Sequence, residues 1–215
     1  MSVRLDAPDG KEIGAHTFTS TGGFRVYAEH SVPLHDAAGE HLVYLARRGG
    51  QNLLIEGGKE LPLPAMDSPL ELLVSKGGRT MLTAVVAGKV VAFIDGKRAG
   101  KEYQGLYFPQ FSRDGTSHAL VAERGSKNLL VVNGNEGPLF DRVVTPRFTP
   151  DGTRVVYRAR DHGERFAVVA DLHGNTLREH PHYEAVFEVV FSPDGESVGY
   201  GVRTGQELWW RVEKL

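Results

Sequence analysis

The sequence of 215 residues contains no cysteine. Disulfide bonds, thiol catalysis and thiolate metal sites are therefore excluded, which is compatible with a reducing compartment. The first residues lack the apolar core of a secretory signal, and no apolar run approaches the roughly 18 residues that cross a bilayer. These absences predict a cytoplasmic chain with no membrane segment.

The chain also has little net charge, −2 at pH 7. This balance gives no electrostatic case for a nucleic-acid partner or an anionic membrane surface. Apolar residues make up 40% and charged residues 24%, which is typical of a globular protein and argues against disorder. Glycine is abundant, with 26 residues, as expected where many short strands need tight turns.

One pattern recurs along the chain: a strand, a tight turn and a second strand. Its clearest copy is TPRFTPDGTRVVY at residues 145–157. Because the copies begin about 40 residues apart and are rich in strand-forming residues, they predict a propeller or another repeat array. Each copy contains one turn glycine: Gly39, Gly78, Gly115, Gly152 and Gly195.

Each repeat continues in the same way after this turn. An alternating strand, a Gly-containing turn and a more apolar strand are followed by an Asn-Gly or Asp-Gly type of turn and a weaker outer strand. The sequence therefore predicts four-stranded antiparallel meanders in a single domain covering residues 1–215. The last repeat stops after its third strand, so we expect strand material at residues 2–6 or 11–18 to supply the fourth and close a ring. An extra hairpin or a partial sixth blade is the alternative.

The motifs FSRDG, FTPDG and FSPDG, which begin at Phe111, Phe148 and Phe191, resemble the WD40-like, TolB-like bacterial β-propeller repeats. The resemblance covers nearly the whole chain, although the first two copies are degenerate. It implies an all-β fold: one propeller with five blades, six being less favoured. The motif is specific for fold and nearly silent on function, because propellers host many activities.

The aspartates of these turns, Asp114, Asp151 and Asp194, are the most conspicuous repeated acids. We expect each carboxylate to accept hydrogen bonds from its own turn. A metal site is not expected, because one carboxylate per blade on separated loops cannot form a compact set of ligands.

A second set of residues lies just before the inner strands. By the strand order of the family, these loops meet on one face around the mouth of the central channel, where loops on a rigid scaffold carry function. The alternative is that the acids cap local turns and the aromatics pack between blades. The predicted ligand-binding residues are Asp67, Tyr103, Gln104, Asp141 and Glu184.

Three charged residues within the inner strands are candidates for the channel itself: Glu71, Arg147 and Glu188. Two carboxylates across a pore are the arrangement that glycoside hydrolysis uses. An inter-blade or water-filled-channel role is the favoured alternative, because the sequence does not fix the separation of the carboxylates.

His180 and His182 alternate along an extended segment and suggest a metal site. With Pro181 between them and no clear third ligand, a surface loop is the favoured interpretation. We predict no catalytic residue, no metal and no cofactor.

The sequence favours a non-enzymatic binding or scaffold module. Its loop face at the channel mouth is expected to bind a protein segment or a small polar ligand. We expect a monomer with no nucleic-acid and no membrane partner. Two alternatives stay open: a glycosidase-like hydrolase using Glu71 and Glu188, and a purely structural interaction repeat protein.

Overall fold

Short runs of β-branched and aromatic residues, separated by Gly-containing turns, form only strands in the described part of the chain. A computed structural model describes residues 42–215 and, before them, four backbone segments at 2–6, 12–17, 25–26 and 34–35. The chain divides into two compact units, Met1–Ala99 and Gly100–Leu215. The prediction of a single domain stays a prediction.

The first unit begins with an isolated hairpin, in which β1 (Ser2–Asp6) pairs with β2 (Glu12–Thr17). In the first larger sheet, two short strands pair with the same strand, β5. The strands of this sheet are β3 (Arg25–Val26), β4 (Leu34–His35), β5 (Leu42–Arg48), β6 (Gln51–Glu56) and β7 (Lys59–Pro62). The second sheet is an antiparallel meander of β8 (Ser68–Val74), β9 (Thr80–Val86), β10 (Lys89–Ile94) and β11 (Lys97–Tyr103).

Three further meanders complete the chain. The third sheet contains β12 (Gly105–Phe111), β13 (His118–Arg124), β14 (Lys127–Val132) and β15 (Asn135–Phe140). The fourth contains β16 (Arg142–Phe148), β17 (Val155–Asp161), β18 (Glu164–Ala170) and β19 (Thr176–Glu179). The fifth has three strands, β20 (Ala185–Phe191), β21 (Ser197–Thr204) and β22 (Glu207–Lys214).

The predicted fold class is confirmed: the described chain is all-β, and its five larger sheets are antiparallel and of the propeller type. Gly39, the first of the predicted turn glycines, lies outside the described residues. The fifth sheet ends at its third strand, as the sequence predicts. Closure of a ring by the N-terminal strand stays a prediction, because β1 pairs with β2 and, among the described strands, β22 pairs with β21 alone.

The hairpin turns take the geometry that their sequences demand. Asp95 and Gly96, and likewise Asn133 and Gly134, have φ values of 51°, 74°, 50° and 82°. Two consecutive residues with positive φ make a type I′ turn, whose twist matches that of the flanking strands. The prediction of tight Asp-Gly and Asn-Gly hairpins is confirmed at these two turns.

Within the second unit, the fourth sheet is buried on both faces. Tyr157 and Phe166 belong to a cluster shared with the third sheet, and Val156 and Val169 to one shared with the fifth. Because alternate residues of a strand face opposite sides, a strand covered on both sides is a continuous apolar run, as in β18. This packing fixes the strands whose ends carry the candidate site.

The first strand of the second, third, fourth and fifth sheets contains a β-bulge. The register shifts between Pro69 and Glu71 in β8, and between Tyr107 and Gln110 in β12. Equivalent shifts occur in β16 and β20. A bulge bends its strand and turns side chains out of the regular alternation, so these positions present residues that a flat strand would not.

In the described part of the chain, no helix has the length and apolar character that crossing a membrane requires.

Candidate functional site

The four polar residues that precede the inner strands make one repeated contact. Each side chain accepts a hydrogen bond from the backbone N–H 21 residues later, at the hairpin turn between the second and third strands of the same sheet. The oxygen–nitrogen distances are 3.2 Å from Asp67 to Gly88 and 2.9 Å from Asp141 to His162. Gln104 bonds to Gly125, and Glu184 to Gly205 at 3.1 Å. These carboxylate and amide oxygens hold the turns, and their ligand-binding role stays a prediction.

Tyr103, the aromatic member of the predicted set, is buried at 4% exposure. Its hydroxyl donates a 2.8 Å hydrogen bond to Glu136, which also accepts from Lys101 and Arg124. Burial, together with the hydrogen bond to Glu136, raises the pKa of the Tyr103 phenol well above its usual range. Its hydroxyl therefore joins β11 to Glu136 on the last strand of the third sheet.

The structural role predicted for the turn aspartates is confirmed. Asp114 accepts hydrogen bonds from Ser112 Oγ and from both the N–H and the hydroxyl of Thr116. Asp151 repeats this arrangement with Thr149 and Thr153. The hydrogen bond from Thr149, then that from Thr153, lowers the pKa of Asp151 to about 2. These acids are parts of turns.

The three channel candidates lie in inner strands, as predicted. Arg147 of β16 is paired with Glu188 of β20, and both side chains are exposed. Glu71 lies beside the bulge of β8, where burial raises the pKa of its carboxyl. The Glu188 carboxylate thus has Arg147 as a structural partner. The hypothesis of a hydrolase that uses Glu71 and Glu188 stays a prediction.

The surface-loop interpretation of the histidine pair is wrong for His180, which is 3% exposed. Burial lowers the pKa of this imidazole. His182 stacks on Phe166 with ring centroids 4.0 Å apart, and its two ring nitrogens lie 3.0 Å from Glu164 and 2.7 Å from Glu179. Packing of the segment against the fourth sheet, which the sequence did not reveal, explains the difference. No group of three metal-binding side chains occurs among the described residues.

Two adjoining pockets lie in the second unit, at the strand ends away from the turns that contain Asp114, Asp151 and Asp194, which we call the PDG turns. The first, which we call the arginine pocket, has a volume of about 320 Å³. It is lined by Arg142, Val144, Arg158, Ala159, Arg160, Arg165 and Val186. The second, the tyrosine pocket, has a volume of about 490 Å³. Its lining consists of Tyr107, Phe108, Glu123, Ser126, Asn128, Asp141, Arg142, Val143, Val144 and Arg160.

The two pockets are continuous because they share Arg142, Val144 and Arg160. Asp141, one of the predicted ligand-binding residues, lines the tyrosine pocket beside Arg142. Its carboxylate also lies 3.4 Å from the ammonium of Lys127. The pockets thus adjoin the loop that the sequence singled out, but side chains of the neighbouring strands form most of their walls.

The arginines of this surface were missed by sequence reasoning. Arg160 and Arg165 face each other across a two-residue turn, a pairing that the hairpin pattern DHGE could have indicated. Arg142 is placed opposite Arg160 by the register between β16 and β17, for which Pro146, a residue that favours a bulge in β16, was the one available sequence signal. Phe108 lines the tyrosine pocket because it lies in the bulge of β12, between Tyr107 and Gln110, where the register shifts.

Comparison with solved structures finds similar chains at low identity. TolB from Acinetobacter baumannii is 14% identical, with 99% of this chain and 57% of that chain covered and a TM-score of 0.44. A putative TolB from Agrobacterium tumefaciens is 12% identical, with 95% and 80% covered and a TM-score of 0.45. The β-propeller domain of the Trilobed protease from Pyrococcus furiosus is 11% identical, with 70% and 58% covered and a TM-score of 0.48.

The present chain therefore spans little more than half the length of the first of these structures. TolB propellers, which the repeat motif resembles, are among the similar structures, but likenesses this weak carry no conclusion about activity. No family model matches the chain, and no curated protein matches it.

Proposed function

We propose that this chain is a non-enzymatic binding module. Its recognition surface is the pair of adjoining pockets at the strand ends of the third, fourth and fifth sheets. The ligand is a protein segment or a small polar molecule. The observation that carries the proposal is the continuity of the two pockets through Arg142, Val144 and Arg160.

The residue types on this surface support recognition. Tyr107 and Phe108 are 46% and 45% exposed, although large aromatics usually pack inside. Tyrosine, other aromatics and arginine are enriched in interfaces because they combine large contact area with directional hydrogen bonds. Here they line one concave surface.

The geometry of Phe108 gives a second support. Its φ is 52°, a left-handed conformation that disfavours a side chain. Such positions persist where the surrounding structure holds them, and they cluster at functional sites. In this chain the bulge of β12 holds the exposed ring beside the tyrosine pocket.

Chemical-shift mapping tests the proposal. The ¹⁵N-labelled chain would be screened with short extended peptides and small polar compounds. Binders are expected to shift amides in residues 105–110, 142–147, 158–165 and 184–189. Binders that shift only the PDG turns around Asp114, Asp151 and Asp194 would contradict the proposal.

A matched pair of variants links the shifts to the pocket. Phe108→Ser is expected to weaken binding roughly ten-fold, the effect of losing an interface anchor. Leu177→Ser removes an apolar side chain of comparable exposure, 56%, from β19, outside both pockets, and is expected to bind like the unaltered chain. Equal weakening by both variants would count against a specific surface.

A further inference from the structure

Three arginines lie in one row across adjacent strands of the fourth sheet. Arg142 of β16 is directly opposite Arg160 of β17, and Arg160 is directly opposite Arg165 of β18. Directly opposed residues point to the same face of a sheet, about 5 Å apart. Arg158, two residues from Arg160 on β17, points to that face as well.

This row of arginines is expected to lower the stability of the folded chain. Like charges directly opposite each other destabilise a sheet, because the side chains repel. The same face carries Val156 and Ala167, which pack against the fifth sheet. The arginines therefore lie next to apolar residues on this face. On a surface that faces only solvent, alternating positive and negative side chains would destabilise the sheet less.

Within the described residues, none of the four guanidinium groups forms an ion pair with a carboxylate. Arg158 donates to the hydroxyl of Thr145 at 2.8 and 3.2 Å and to the carbonyl of Val186 at 3.2 Å. Arg165 donates to the carbonyl of Glu184. Neither Arg142 nor Arg160 has a hydrogen bond or ion pair in this part of the chain, so both are available to a ligand.

The nearby acids are engaged elsewhere. Glu188, whose charge reaches Arg158, is paired with Arg147. Glu123 accepts a hydrogen bond from Tyr107, and Asp141 holds the turn at His162. Burial lowers the pKa of the Arg158 guanidinium, and the charge of Glu188, which is paired with Arg147, opposes this effect only in part.

The site is also pre-organised. Thr145 has a φ of 44°, which the bulge in β16 imposes, and in this conformation its hydroxyl accepts two hydrogen bonds from Arg158. Arg158 is thus fixed by neutral acceptors on two sheets, while Arg142 and Arg160 are exposed beside it. A fixed guanidinium loses less freedom when it binds an oxyanion, which favours affinity.

We propose that the arginine pocket binds the oxyanion group, phosphate or carboxylate, of a small organic molecule. The planar donors of arginine match both groups in a bidentate manner. A volume of about 320 Å³ exceeds that of one oxyanion, and Val144 and Val186 offer apolar walls for the attached organic part. This inference rests on the proposed binding function and names the ligand class for that surface.

Calorimetric titration tests the proposal with two probes, inorganic pyrophosphate and citrate, at constant ionic strength in chloride. The chain is expected to bind at least one of them, and the tighter probe identifies the phosphate or the carboxylate source. Arg160→Gln is expected to weaken that binding about ten-fold or more, through loss of charged hydrogen bonds. Its melting temperature is expected to rise, because the repulsion in the row is relieved.

Arg113→Gln is the matched control. Arg113 is an exposed arginine at a PDG turn of the same unit, so its loss changes the net charge equally without touching the pocket. Equal weakening by Arg113→Gln and Arg160→Gln would overturn the site in favour of general attraction. Failure of both probes to bind, while a peptide or an uncharged compound still requires Phe108, would overturn the anionic ligand class and leave the binding function standing. Failure of every ligand would overturn both.

Discussion

Phe108 of β12 and Thr145 of β16 occupy equivalent positions in the bulges of their strands. Both residues have φ values in the left-handed region. A side chain in this region costs about 1 kcal/mol or more, because its Cβ crowds the backbone. Thr145 compensates by binding Arg158, whereas Phe108 is exposed beside a pocket. The strained Phe108 thus lines the tyrosine pocket, and the strained Thr145 holds Arg158 of the arginine pocket.

The strain at Phe108 reverses the usual order of alanine and glycine. We expect Phe108→Gly to be more stable than Phe108→Ala by about 1 kcal/mol, because only glycine relieves the positive φ. Urea unfolding of both variants measures the difference. At Tyr107, whose φ is not positive, the alanine variant is expected to be the more stable one. Alanine being favoured at both positions would show that Phe108 is unstrained.

The turn aspartates make stability depend on pH in an acidic window. The folded-state pKa of Asp151 is about 2, below its ordinary value of 3.8. Its stabilisation is therefore present above about pH 3.8 and is lost as the pH falls through about 2. We expect Asp151→Asn to be less stable at pH 7 by about 1 kcal/mol, a small value because the group is exposed to solvent.

Acid titration of the unfolding free energy checks this expectation. The slope between about pH 4 and pH 2 is expected to be shallower for Asp151→Asn than for the unaltered chain. Glu196→Gln, which removes an exposed carboxylate from the neighbouring repeat's turn, should leave the slope unchanged. Equal slopes for Asp151→Asn and the unaltered chain would refute the assigned hydrogen-bonding role.

At the scale of elements, β22 exposes more large apolar side chains than any other described strand of the second unit. Leu208, Trp209, Trp210 and Val212 are between 52% and 70% exposed, and β21 is the only described strand that pairs with it. An uncovered apolar edge is a template for aggregation. The predicted fourth strand of this sheet would remove that edge.

Amide hydrogen exchange tests closure by the N-terminal strand. In a chain shortened by residues 1–17, the outward amides of residues 207–214 are expected to exchange faster than in the full chain, because they lose their partners. Amides of the central strand β14 serve as the internal control and should be unaffected. Identical exchange of β22 in the two chains would show that the N-terminal strand does not cover it.

The elements differ in how much the sequence could reveal about them. Strands and turns were predictable because Asp95-Gly96 and Asn133-Gly134 determine hairpins locally. The bulges were not predicted, although Pro109 and Pro146 inside inner strands are a signal, since proline in a strand indicates an edge or a bulge. The arginine row required the register between β16 and β17, which depends on that bulge and on packing against two sheets.

At the scale of the whole molecule, the net charge of −2 does not reflect the local distribution of charge, which is strongly positive at one pocket. The chain has 25 Lys and Arg against 27 Asp and Glu, so composition alone indicates no anionic partner. Four of those cations nevertheless line a single pocket that contains no acidic side chain. A cleft lined by one sign of charge concentrates ions of the other sign, whatever the total charge.

In the described part of the molecule, the residues that hold the turns differ from most of those that line the pockets. Asp67, Gln104, Asp141 and Glu184 hold hairpin turns, and the PDG aspartates hold the turns at the other strand ends. In the pockets, Arg142 and Arg160 have no such role among the described residues, because neither side chain forms a hydrogen bond or an ion pair there. We therefore propose, as the central claim, that the arginine pocket binds a phosphate or carboxylate group.

The most direct test follows the arginine side chains themselves. In ¹⁵N–¹H spectra recorded during titration with pyrophosphate or citrate, the Nε–H signals of Arg142, Arg158, Arg160 and Arg165 are predicted to shift together with one common dissociation constant. The signal of Arg113 is predicted to stay in place. Parallel shifts of Arg113 and the four pocket arginines, or no shift of the four with either probe, would contradict the account.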